Sequence, residues 1–166
     1  SMNKAFNKED DGSAKLRLDD LPQSPHPNLV TPEGLADLER RVSVLVRELA
    51  ELRARPESVE GRQDIAVVER DLRYVDSRLA HAILVDPKSH ATGVVAFGAE
   101  VEILMDDDKR QIFRIVGEDE ADPKRGLISP YSPLGIALMG AELGDRVEWR
   151  KPTGGIDIEI VAIRFD

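Results

Sequence analysis

The side chains of this chain with the types and spacing to do chemistry are carboxylates. Glu57 and Glu60 stand three residues apart in Arg55-Pro56-Glu57-Ser58-Val59-Glu60-Gly61, a turn bracketed by Pro and Gly. A second acidic run, Glu118-Asp119-Glu120-Ala121-Asp122, comes shortly before Ser129-Pro130-Tyr131-Ser132-Pro133. Carboxylates as a class ligate hard cations. They also simply solubilise a loop tip, the plainer reading of Glu57 and Glu60. Asp64 is accounted for by the dipole of the helix it opens. The chain has no cysteine, which excludes disulfides and thiolate metal sites. His26, His81 and His90 share no ligand spacing, so no metal site and no cofactor of the chain's own is expected.

These acids need elements to position them. Thr31-Pro32-Glu33 is a helix start: Thr can cap an orphan amide, Pro loses no bond at the first helical position, and Glu suits the dipole. Leu35, Leu38, Val42, Leu45, Leu49 and Leu52 follow in alternating steps of three and four, the seam of a coiled coil. Ile65, Val68, Leu72, Val75, Leu79 and Ala82 repeat that pattern. Folding one seam antiparallel onto the other sets Leu45 against Leu72 and Leu49 against Val68, with the turn at 56–61. The expectation is a helical hairpin over 29–85, preceded by a disordered polar arm over 1–28. Ser1 before Met2 reads as an expression scar.

Beyond Asp86-Pro87 the period becomes two. Val101, Ile103 and Met105 alternate along a strand that Asp106-Asp107-Asp108 turns into a second, Gln111–Gly117. Residues 126–129 form a short third strand, and Ser132-Pro133 starts a brief helix. Arg146–Lys151 and Ile156–Phe165 close a last hairpin through 152–155. In that final strand the apolar parity switches after Ile160, which calls for a bulge near 160–161. Trp149 and Phe165 read as core. The fold class is α+β: an antiparallel coiled-coil hairpin, then a small, mostly antiparallel β domain with one short helix over 86–166.

Composition narrows the partners. The 166 residues carry 23 Lys+Arg against 32 Asp+Glu, a net charge of −9. Such acidity disfavours tight autonomous DNA binding. With no membrane span and no secretory signal, a cytoplasmic protein is expected. The hairpin's nine arginines are interleaved with eleven acids, so they read as a solvated face laced with ion pairs.

Val95-Ala96-Phe97-Gly98-Ala99 into Val101, Phe113-Arg114-Ile115-Val116-Gly117 with the acidic run that follows, and Leu127-Ile128-Ser129-Pro130-Tyr131-Ser132-Pro133-Leu134 strongly resemble the GreA/GreB family of transcription elongation factors. Leu29-Val30-Thr31-Pro32-Glu33-Gly34 extends the match. The resemblance implies an FKBP-like C-terminal domain that docks on bacterial RNA polymerase and a coiled coil that enters the polymerase secondary channel. It assigns docking to Glu120, Asp122, Ser129, Tyr131, Ser132 and Pro133. In the family, tip carboxylates in the pattern Gly-Asp-x-x-Glu-Asn, followed by an acidic residue and Tyr, help hold a catalytic Mg²⁺, and the polymerase then cleaves a backtracked transcript.

The tip departs from that pattern. Pro56 replaces the Gly, Glu57 the Asp and Gly61 the Asn, and the downstream Tyr is missing. The GreB-like hairpin is also shorter than the family norm by roughly one heptad per arm, about 10 Å of helix. A Mg²⁺ ligand must come within about 2 Å of the ion. The expectation is therefore an accessory factor, not itself an enzyme, that binds polymerase as a monomer with weak or no stimulation of cleavage. The polymerase's Mg²⁺ and indirect contact with nascent RNA enter only if Glu57 and Glu60 reach. An active cleavage factor is the alternative. From other classes come an FKBP-like prolyl isomerase, which 4% aromatic residues ill suit, and a coiled-coil adaptor.

Overall fold

The computed structural model describes residues 16–89 and 92–166. His90 and the first fifteen residues of the expected arm lie outside them. The chain divides into two units, one comprising Ser1–Pro25 with Glu39–Ala80 and the other His26–Leu38 with His81–Asp166.

The helices are α1 (Pro32–Arg53) and α2 (Val59–Ala80), 22 residues each; the first unit holds α2 and α1 from Glu39 onward, while the start of α1 belongs to the second. α1 starts as its sequence requires. The Thr31 hydroxyl accepts from the Gly34 amide at 2.9 Å, with Pro32 first in the helix and Glu33 in its opening turn. α2 is capped in the same way, Ser58 Oγ accepting from the Gly61 amide at 2.9 Å. That cap corrects the expected turn at 56–61. The turn is 54–58, and Val59, Glu60 and Gly61 already belong to α2. A serine three residues before a glycine amide is a helix start, and the glycine was misread as a breaker.

The seam positions lie inside. Leu38, Leu49, Val68 and Val75 are buried and the other seam residues half-buried, whereas Val44 and Val46, off the seam, are exposed. Near the tip Arg53 reaches Glu69 at 2.8 Å. Residues 16–25, expected without fixed structure, are instead strapped to the helices. Arg73 donates to Asp20 at 2.6 Å and to the Leu18 carbonyl at 2.8 Å, and Leu18 and Leu21 are half-buried. Two leucines and one well-placed guanidinium outweigh the arm's polar composition.

The second unit holds the sheets. β1 (Asn28–Val30) pairs in parallel with β2 (Ala82–Leu84), Asn28 opposite Ala82 and Val30 opposite Leu84. Ala82, expected as the last seam residue, therefore belongs to a strand. Two parallel strands need a long crossover, and here the entire helical pair supplies it.

The main sheet comprises β3 (Glu100–Met105), β4 (Arg110–Ile115), β5 (Leu127–Ile128), β6 (Arg146–Lys151) and β7 (Gly154–Arg164), in the order β5-β4-β3-β7-β6. All pairs are antiparallel except β4–β5. Opposite β3 the register skips one residue of β7: Glu102 faces Ala162, and Ile103 faces Ile160. Val161 is the extra residue. This is the bulge that the parity switch requires, and it lets Ile158 and Ile160 face the core while Ile163 and Phe165 pack at its edge. The last hairpin turns on two residues, Pro152 and Thr153, rather than four.

The core gathers Val95, Phe97, Val101, Ile103, Ile115, Leu138, Ile158 and Ile160, each at most 3% exposed. Each such side chain contributes about 1.5–3 kcal/mol of burial. Trp149 packs edge-on against Phe113, ring centroids 5.9 Å apart, with the Lys151 ammonium 4.3 Å from its centroid. The core's one helical wall is α3 (Pro133–Leu138), which buries Leu134, Gly135 and Leu138.

Candidate docking block and hairpin tip

The segment Ser129–Pro133 is locked by its own hydroxyls. Ser129 Oγ accepts from the Tyr131 amide at 3.1 Å. Ser132 Oγ donates to the Ser129 carbonyl at 2.7 Å and accepts from the Gly135 amide at 3.1 Å, so it caps α3 and staples the preceding loop at once. Pro133 follows as the first helical residue and is exposed. Gly135 has no room for a side chain, since an added Cβ would strike the Ser129 carbonyl and lie 2.9 Å from Pro130 Cα. Tyr131 is half-buried. Its hydroxyl donates to the Pro27 carbonyl at 3.2 Å, and its ring stacks on His26. Burial and then the nearby Glu118 carboxylate raise the phenol pKa.

Glu120 is committed elsewhere. Its carboxylate accepts from the Thr31 hydroxyl at 2.7 Å, the same hydroxyl that caps α1. Gly34 leaves space for this contact, because a Cβ there would come within 2.7 Å of Glu120 Oε1. Burial raises the Glu120 pKa and the Thr31 bond opposes it, while Glu33 and Asp37 raise it further and Arg114 lowers it. Asp122 stands before a short 3-10 turn, Pro123–Arg125, and its side chain makes no capping bond there. Its backbone exchanges hydrogen bonds with Leu127. Of the six expected docking residues, Ser129, Tyr131, Ser132 and Pro133 thus form one continuous block, Glu120 braces the start of α1, and Asp122 anchors β5. Sequence reasoning missed His26 and Pro27, which lie about a hundred residues from the block and carry no motif.

At the tip, Glu57 lies in the turn with its side chain 67% exposed and 3.8 Å from Arg62. Glu60 is exposed in the first turn of α2. The two acids are thus held by different kinds of backbone, one in a turn and one in a helix. Among the described residues no cluster of three or more His, Cys, Asp or Glu side chains could hold a metal ion, and no helix is long and apolar enough to cross a membrane.

Residues 89–165 match the family described as "Transcription elongation factor, GreA/GreB, C-term". The transcription elongation factor GreA of Nautilia profundicola is 41% identical over 121 residues, covering 72% of this chain and 75% of that protein. GreA of Thermodesulfovibrio yellowstonii is 33% identical over 152 residues, covering 82% and 96%. GreB of Yersinia pestis is 33% identical over 152 residues, covering 83% and 89%. An alignment of 152 positions exceeds what 82% of a 166-residue chain supplies, so that relative carries residues with no counterpart here. The 121-position alignment exceeds its share of this chain by only about one position. Among solved structures, a GreA/GreB factor from Nitrosomonas europaea is similar at 23% identity, covering 84% of this chain and 99% of that one, with a TM-score of 0.42. With close to three quarters of both chains aligned at 41% identity, this chain belongs to the GreA/GreB family of transcription elongation factors.

Proposed function

We propose that this protein binds RNA polymerase through the Ser129–Pro133 block, places its helical hairpin in the secondary channel, and adds little or no transcript cleavage. Support for docking comes from the block itself, pre-formed by its hydroxyls and offering Tyr131 and Pro133 at the surface. Support for weak cleavage comes from the tip, and one observation there carries the reading. Glu57, beside Arg62, lies in the turn between two 22-residue helices and Glu60 in the first turn of the second, in a chain that lacks residues present in an aligned GreA.

The chemistry follows from distance and charge. Cleavage by a two-metal mechanism needs an oxygen ligand to stabilise the second ion while water attacks the phosphodiester. A carboxylate helps only when it touches that ion, and a shortfall of about one helical turn, 5 Å, removes it from the coordination sphere. The neighbouring Arg62 guanidinium also weakens Glu57 as a cation ligand. The protein then occupies the channel without completing the site.

The test is transcript cleavage in a backtracked elongation complex supplied with Mg²⁺. The wild-type protein should leave cleavage near the polymerase's own rate, and the E57Q/E60Q variant should behave identically. Robust stimulation that disappears in E57Q/E60Q would overturn the reading.

A further inference from the structure

We propose that His26 belongs to the polymerase-docking surface: stacked on Tyr131, it forms a two-ring aromatic platform that seats a cationic side chain of the polymerase, arginine above all. This rests on the docking role proposed for the Ser129–Pro133 block.

The geometry is that of a built feature. The two rings lie 3.9 Å apart between centroids and within 12° of parallel. Tyr131 is held at three points: its ring by His26, its hydroxyl by the Pro27 carbonyl at 3.2 Å, and its amide by Ser129 Oγ at 3.1 Å. The segment bearing His26 is itself anchored. Asn28 is 5% exposed and pairs with Ala82 in the β1–β2 ladder, and the Pro27 carbonyl also accepts from the Leu29 amide at 3.1 Å. His26 and Pro27 nevertheless remain exposed.

The stack lies outside the hydrophobic core, to which neither ring belongs. Core packing therefore does not explain it, and His26 keeps exposed surface beside it. The negative charge of Glu118 is felt at Tyr131, where it raises the phenol pKa after burial, so the platform sits in negative potential. Flat π surface in negative potential is the setting that favours a guanidinium, which stacks on rings as a delocalised cation. Pro133 adjoins it, exposed at the start of α3.

The experiment measures affinity for core RNA polymerase with Y131L, H26L, Y131F and H26F, each checked for an unchanged urea midpoint. Leucine keeps apolar bulk but removes the π face, whereas Phe keeps it. H26L should weaken binding about five- to tenfold and H26F should restore most of it. H26L binding like wild type while Y131L is weakened would overturn the role of His26 and leave the docking block standing. Y131L binding like wild type would overturn the block and the platform with it. In the free protein, the His26 ring protons should show a ring-current shift that vanishes in Y131L. An unshifted ring would show that the stack is not formed, independently of polymerase.

Discussion

The docking block and the hairpin tip both come from polar residues in short connections, yet they are organised in opposite ways. In the block every hydroxyl is used twice or pinned to backbone: Ser132 donates to Ser129 and accepts from Gly135, and Thr31 donates to Glu120 and accepts from Gly34. At the tip, Glu57 and Glu60 are exposed in a turn and a first helical turn, and the ion pair there among the described residues is the long Glu57–Arg62 contact at 3.8 Å. A surface whose shape is fixed before binding loses little freedom on binding. An exposed carboxylate is free to be lost or changed without harm to the fold. On the proposed reading, this contrast lets the chain keep a means of attachment while relinquishing cleavage.

The most disruptive way to break the comparison is at Gly135. G135A should destabilise the second unit by about 1–3 kcal/mol or more, by analogy with overpacked cores, because the new methyl meets the Ser129 carbonyl and Pro130. Urea unfolding would measure it, and a loss under 1 kcal/mol would mean the block is softer than its hydrogen bonds imply.

The hairpin seam comes next. L45A and L72A should each cost about 2 kcal/mol or more, toward the low end of the buried-leucine range because both are only half-buried. The natural absence of cysteine allows the register to be read directly. L45C/L72C should form a disulfide under mild oxidation faster than L45C/V68C.

A smaller effect belongs to the cap. S132A removes the N-cap of α3 and should cost about 1 kcal/mol, while the equivalent change at the tip, S58A, should leave the second unit untouched.

The smallest effect concerns pH. The Glu120 pKa is raised in the folded protein, chiefly by burial. The folded state therefore holds this proton more tightly than the unfolded chain. The stability it adds is complete at low pH and falls as pH rises from the ordinary carboxylate value of 4.5 through the raised folded value. Compared with E120Q, the wild-type urea midpoint should drop across that window, and parallel profiles would contradict the assignment. Asp20, lowered by its bond to Arg73, acts in the opposite sense and only at more acid pH, as its folded pKa is passed.

Much of this was legible in the sequence because it rests on local periodicity. The two seams, the Thr31 and Ser132 caps, and the parity switch that requires a bulge at Val161 are all written within a few residues. The turn at 54–58 was displaced in the sequence reading because Gly61 resembles a breaker when its amide in fact completes the Ser58 cap. The β1–β2 pair was missed because Asn28–Val30 and Ala82–Leu84 are three-residue strands more than fifty residues apart, with no alternation long enough to register. The strap was missed because its hold depends on Arg73, on the far side of the hairpin turn. At the candidate site the hydroxyl cap was readable, whereas the His26–Tyr131 stack joins segments that only the folded chain brings together.

The central claim, attachment without cleavage, is tested most directly by competition. Backtracked elongation complexes are supplied with a cleavage-active GreA, and this protein is then titrated in with Mg²⁺ present. Cleavage should fall toward the polymerase's own rate as the protein displaces GreA, and the Y131L variant should lose that inhibition. Cleavage that holds steady or rises as the protein is added would contradict the account.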